Sequence, residues 1–253
     1  LMERLEAETG QATGFKRNGS IAVALSDGRM EELRRKRDAA LAQNILSYEL
    51  TPDAVKALWP MLDLAGVTGG IHFPNDGQTN PIDTTMALAK AARLHGAMIR
   101  EGIVVRKVLM DAGRATGVET DSGTITAEVV VNCTGLWARS FAQEHGVRLP
   151  IQANQHFYVV TDPVPDLPAN LPVLRVYDEG AYYKEDAGKL LIGFSEPNSK
   201  VWNPAGGVPA DFSFDELHFP DGHLDPLLEK VLDRVPAIQN VGIRKFFNGP
   251  ESY

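Results

Sequence analysis

His156 stands in an alternating run, Gln155-His156-Phe157-Tyr158-Val159-Val160. An imidazole exchanges protons near neutral pH, so it suits acid–base work, although a lone histidine in a strand is more often structural. Tyr182 and Tyr183 are adjacent in a second strand-like run, and adjacent strand residues point to opposite faces. Only one of the two hydroxyls can therefore meet a ligand on a given face. Arg175 and Lys184 carry the charge that pairs with a carboxylate, but surface placement is the default for both types. The turn Asn132-Cys133-Thr134-Gly135 follows a run of valines. Small residues there would let a ligand approach the backbone at the end of a strand; the same turn is also explained by glycine's backbone freedom alone. Other chemistries fail. The six histidines are not spaced as metal ligands, Cys133 has no cysteine partner, and no G-x-x-x-x-G-K-[ST] or G-x-S-x-G run occurs.

These residues must be positioned by two kinds of texture. Residues 20–24 read as a short strand and residues 28–44 as a charged, exposed helix. Thr51-Pro52-Asp53 has the cap chemistry that opens a helix, which Pro60 closes after Trp59. Gly69 to Phe73 reads as a strand. Asn80-Pro81-Ile82-Asp83 opens a second helix, which runs to about His95 and whose alanines permit close approach to a sheet. From Ile103 to Thr126 three short strands at hairpin spacing read as an antiparallel meander. The run Glu128 to Asn132 lacks alternation, which predicts a strand buried on both faces, as in a parallel sheet. A helix is expected to start near Leu136, with its first amides aimed at the crevice beyond that strand. After Pro150 come alternating aromatic strands, a helix near 223–234 and a last strand-like run from Val241, which together read as an antiparallel sheet.

The chain has 253 residues and a net charge of −8, which argues against a nucleic-acid partner. The basic run Arg34-Arg35-Lys36-Arg37 sits among glutamates and reads as a solvated helix face. A single cysteine fits a reducing compartment, and no stretch is apolar and long enough to insert into a membrane. Cytoplasmic placement is expected, or the mitochondrial matrix in a eukaryote. The chain opens mid-pattern in a helix and stops after a strand-like run, so it reads as an internal piece of a longer protein.

A helix, a strand and a meander before "VVVNCTG" resemble the flavoprotein pattern in which a meander precedes a strand ending in Ala-Thr-Gly. Longer phrases carry the likeness further: "ETGQATGFKRNGSIAVA", "GGIHFPNDGQTNPIDTTMALAKAAR", "NCTGLWAR", "QANQHFYVVTDPVP", "LPVLRVYDEGAYYKEDAGKLLIGFSEPNSKVW" and "FFNGPESY". Over nearly the whole chain the sequence resembles the flavin-dependent dimethylglycine and sarcosine dehydrogenase family, which are D-amino-acid-oxidase-like flavoproteins. It departs from the family in having no G-x-G-x-x-G turn.

The resemblance implies an α/β fold (α+β on a strict definition): a partial dinucleotide-binding flavoprotein domain with an antiparallel-sheet substrate domain. Residues 78–150 would be part of the FAD-binding domain, and 1–77 with 151–246 a discontinuous substrate domain. The activity implied is oxidative N-demethylation of a small N-methyl amino acid, with hydride passing from the N-methyl carbon to FAD. The iminium would hydrolyse to formaldehyde or be trapped by tetrahydrofolate. On the family's pattern His156 and Tyr182 match active-site positions beside the substrate amine. Val105, Thr134, Gly135 and Trp137 match positions that contact the cofactor. Two rivals remain at this stage: a non-catalytic binding module on the same fold, and an oxidase of sarcosine or D-amino-acid type that reduces oxygen directly. The electron acceptor is left open.

Overall fold

The structure, a computed structural model, describes residues 1–196, 198–202, 207–209, 211–212, 216–220 and 222–253. The chain divides into two compact units: Leu1–Leu94 with His156–Asn198 and His218–Asn248, and His95–Gln155 with Ser199–Leu217 and Gly249–Tyr253.

The first unit is built on an eight-stranded sheet. Its strands are β1 (Ser20–Ala24), β2 (Tyr48–Leu50), β3 (Gly69–Phe73), β7 (Ala153–Thr161), β8 (Val173–Val176), β9 (Ala181–Asp186), β10 (Lys189–Phe194) and β11 (Ile243–Ser252); β4 to β6 are in the second unit. The order is β11-β7-β10-β9-β8-β1-β3-β2. β1 and β8 run parallel, whereas the registers between β7 and β10, β10 and β9, β9 and β8, β1 and β3, and β3 and β2 are antiparallel. Alternation along β7, β9 and β10 separates two faces. Phe157, Val159, Tyr183, Leu190 and Ile192 are buried in one core with Ile21, Val23, Trp59 and Leu174. Trp59 anchors this core: its ring meets Tyr183 edge-on at 5.9 Å, and its indole N–H donates to the Pro172 carbonyl at 2.8 Å. Burial of rings this large supplies much of the drive to fold, and the satisfied N–H removes the penalty of burying an indole.

Helices form where the sequence supplies caps. α2 (Asp27–Leu41) is capped by the Ser26 hydroxyl, which accepts from the Arg29 amide; α3 (Pro52–Leu58) is capped by Thr51 in the same way. α4 (Pro81–Leu94) starts where the Asn80 side chain accepts from the amides of Ile82 and Asp83. The neighbour that α4 meets is α1 (Met2–Thr9). The basic run on α2 is ion-paired: Arg34 and Arg37 with Glu49, Arg35 with Glu31, Lys36 with Glu32. α6 (Asp225–Arg234) ends in Arg234, whose guanidinium is bound by the Glu179 carboxylate at 2.6 Å and donates to the carbonyls of Asp63 and Ala65.

In the second unit, β4 (Val105–Asp111), β5 (Arg114–Thr120) and β6 (Gly123–Thr126) form the expected meander. Gly117 is required in it: an added Cβ would lie 2.2 Å from the Ile125 carbonyl oxygen, and its φ is +150°. The valine run after β6 corrects the sequence reading. Residues 128–134 form no strand, and Val129 and Val131 are each 74% exposed. A strand buried on both faces needs neighbours to complete its ladder and its cover, and among the described residues this run pairs with none. Val130 and Asn132 instead line an apolar cavity with Val108, Phe141, Ala142 and Val147. No helix among the described residues is long and apolar enough to cross a membrane.

Candidate active site

Alternation on β7 and β9 places His156 and Tyr182 on the face of the sheet opposite the core, both half-buried. Tyr182 lies opposite Gly193 of β10, and Gly193 lies opposite Tyr158 of β7. His156 is two residues from Tyr158, one diagonal step from that row. The phenol reaches across β10, so that the His156 Nε2 and the Tyr182 hydroxyl are 3.3 Å apart. Their rings are within 8° of parallel, with centroids 6.3 Å apart. The sequence does not foresee a second aromatic pair beside them: Tyr158 stacks on Phe247 of β11 at 4.4 Å. It joins residues 89 apart in the chain, a separation that no local pattern carries.

The adjacent Tyr183 has the opposite environment. It is fully buried, and its hydroxyl has no hydrogen-bond partner among the described residues. Burial, reinforced by the Glu179 carboxylate, pushes its phenol far above the ordinary tyrosine value. Arg175, exposed, lies opposite Tyr182 in the register between β8 and β9; Lys184, half-buried, is the next residue along β9 on the same face as Tyr182. A His–Tyr pair therefore shares one sheet face with two cations, groups that can meet an amine and a carboxylate.

The four residues expected at the cofactor lie in the second unit. Val105 opens β4, an edge strand of the meander, and is 42% exposed. Thr134 is held by Asn132, whose side-chain oxygen accepts from the Thr134 amide at 3.2 Å and hydroxyl at 2.8 Å. Gly135 has φ +57°, and a Cβ there would meet no atom within 4 Å. Glycine is thus required by the backbone, and open space lies beside it. Trp137 donates to the Pro209 carbonyl at 2.9 Å and lies near Phe212. The helix expected near Leu136 is a 3-10 turn at Gly135–Trp137 followed by α5 (Ala138–Gln143), of six residues. The Trp137 amide is already spent on the Thr134 carbonyl. A helix of that length is no anion site of its own. Open space at Gly135 and the accessible Val105 and Thr134 nevertheless fit contact with a large planar cofactor. Among the described residues no group of three or more His, Cys, Asp or Glu could hold a metal ion.

The first unit thus carries a His–Tyr pair on the sheet face opposite its core, and the second unit carries the meander and the Cys-Thr-Gly turn. The chain belongs to the FAD dependent oxidoreductase family, whose model matches residues 1–252. It is 37% identical over 250 residues to the 4-methylaminobutanoate oxidase (formaldehyde-forming) of Paenarthrobacter nicotinovorans, covering 99% of this chain and 30% of that protein. It is 32% identical to the mitochondrial sarcosine dehydrogenase of Homo sapiens, covering 100% of this chain and 28% of that protein. It is 34% identical to the mitochondrial pyruvate dehydrogenase phosphatase regulatory subunit of Mus musculus, over 100% of this chain and 29% of that protein. The fold is shared with the L-proline dehydrogenase of P. horikoshii, at a TM-score of 0.80 and 23% identity, over 98% of this chain and 63% of that one. The chain thus spans under a third of the length of these curated relatives.

Proposed function

We propose that this chain forms the substrate side and part of the cofactor side of an FAD-dependent amine oxidoreductase that demethylates a small N-methyl amino acid, dimethylglycine or sarcosine. The observation that carries the reading is the His156–Tyr182 contact on the sheet face opposite the core, in a chain similar to enzymes named for N-methyl amino acids. On this reading residues 78–150 belong to the FAD-binding domain, and 1–77 with 151–246 to the substrate domain. Val105, Thr134, Gly135 and Trp137 are the residues that would contact FAD. Bound FAD supplies the two-electron acceptor.

The work of the protein's own residues follows from amine chemistry. A secondary or tertiary amino acid is mostly protonated near neutral pH, and a protonated nitrogen has no lone pair to stabilise positive charge on its methyl carbon. His156 takes the amine proton, or holds the substrate in its neutral form, through Nε2; the Tyr182 hydroxyl orients the nitrogen. Arg175 and Lys184 pair with the carboxylate. Tetrahydrofolate is proposed as the acceptor of the one-carbon unit, with release of formaldehyde as the other outcome.

The test is anaerobic addition of dimethylglycine, sarcosine and 4-methylaminobutanoate to the complete gene product. Bleaching of the flavin absorbance by at least one of them is expected. No bleaching with any would favour a second reading, a non-catalytic regulatory module, which the likeness to the phosphatase regulatory subunit supports. Re-oxidation by air in place of an electron carrier would favour an oxygen-reducing oxidase.

A further inference from the structure

Gly193 is buried in the middle of β10, with Tyr182 opposite it on one side and Tyr158 on the other. Glycine weakens a strand interior, and there it often marks a place where another group must come close. Its backbone gives no reason for glycine, since its φ lies outside the range that side chains avoid. Its surroundings do. A Cβ on Gly193 would lie 1.9 Å from Cζ of Tyr182, 2.1 Å from its hydroxyl oxygen and 2.3 Å from Cε1. The phenol ring therefore rests on the bare backbone of β10, in the volume that any side chain at 193 would fill. That is the path by which a residue of β9 reaches one of β7 across an intervening strand. The Tyr158 ring leaves this volume clear by stacking the other way, on Phe247.

We propose that Gly193 is a positioning residue: by lacking a side chain it lays Tyr182 across β10 and sets its hydroxyl against the His156 imidazole. The proposal rests on the reading of His156 and Tyr182 as the amine-site pair. Gly193 itself touches no substrate. A methyl group at 193 displaces the free end of an aromatic side chain, not the backbone, so the sheet accepts alanine while the pair separates.

The experiment is a double-mutant cycle in the complete gene product. Gly193→Ala is expected to lower the limiting rate of flavin reduction by about tenfold or more, toward the level of Tyr182→Ala, and to shift its pH profile. In the Tyr182→Ala background there is no ring to displace, so adding Gly193→Ala should change the rate by less than about twofold. Histidine NMR with 13C at Cε1, assigned with His156→Gln, supplies a readout apart from activity. Gly193→Ala should move the His156 resonance and its titration, and should not do so once Tyr182 is alanine. If no amine reduces the flavin, the functional reading falls, and the NMR arm still decides the positioning claim. A wild-type rate and resonance in Gly193→Ala would overturn the proposal. So would an equal loss with and without Tyr182, or a Gly193→Ala protein that fails to fold while the double variant folds.

Discussion

His156, Tyr182 and Tyr183 divide one short stretch of chemistry between two faces of a sheet, and the division yields a graded expectation. His156→Ala should slow flavin reduction by about 10²-fold, the usual scale for a positioned acid–base group. It should also flatten the rise of that rate with pH, because the group that clears the amine proton is gone. Tyr182→Phe should cost less, since it removes orientation and leaves the imidazole in place. Tyr183→Phe should leave the rate unchanged. Its ring packs edge-on against Trp59 in the core, and the hydroxyl it would lose is buried with no partner among the described residues. Removing such a group relieves a desolvation penalty, so thermal stability should be equal or higher. Stopped-flow reduction across pH, with melting curves alongside, checks the series; a Tyr183→Phe protein slower than Tyr182→Phe would reverse the assignment. The two-residue period alone separates the tyrosines in sequence, but it does not say which of them faces the histidine. That depends on the register of β9 against β10 and β7, set by pairings far apart in the chain.

Among the elements, a buried charged joint ties distant parts of the first unit together. Arg234 closes α6, and its guanidinium is 7% exposed. It binds Glu179, in the turn after β8, and caps two carbonyls of the loop after α3. Burial works against its charge, yet the hydrogen bonds to Glu179 hold its pKa above the ordinary arginine value. Arg234→Met leaves the Glu179 carboxylate buried without its cation and the two carbonyls without donors, which should cost about 3–5 kcal/mol. Replacing both partners, Arg234→Met with Glu179→Leu, should recover much of this by removing the stranded charge, though not the carbonyl part. Urea unfolding of the three variants measures it, and a double variant less stable than Arg234→Met would refute the account. Nothing local announces this joint, because its partners are 55 and about 170 residues away in sequence. The caps at Ser26, Thr51 and Asn80 are the contrast: each is a contact within three residues, and each helix starts where its cap residue stands. β2 and β8, of three and four residues, carry too little pattern to be read and exist through their neighbours in the sheet. The valine run fails for the opposite reason, since strong local propensity cannot make a strand without a pairing partner.

For the molecule as a whole, both units leave apolar side chains exposed. The first closes around a continuous core of large side chains. The first also exposes Ile82, Met86 and Leu94, and the second exposes Val104, Val105, Val129 and Val131 among others. Apolar surface of this kind is normal when scattered and meaningful when it recurs around candidate cofactor residues such as Val105 and the Thr134-Gly135 turn. The sequence contains no G-x-G-x-x-G turn, and the six-residue α5 offers no substitute as a phosphate site. The diphosphate of FAD therefore finds no glycine-rich cradle among the described residues. The 253-residue chain alone is accordingly expected to fold, to keep the His156–Tyr182 contact, and to bind FAD more weakly than micromolar, with a hydrophobic dye bound at the valine surface. The complete gene product is expected to retain FAD through purification. Calorimetric titration of FAD into both proteins, with dye fluorescence as the second measure, tests this. Micromolar or tighter binding by the chain alone would mean that the Gly135 turn and its neighbours hold the cofactor without a glycine-rich phosphate loop.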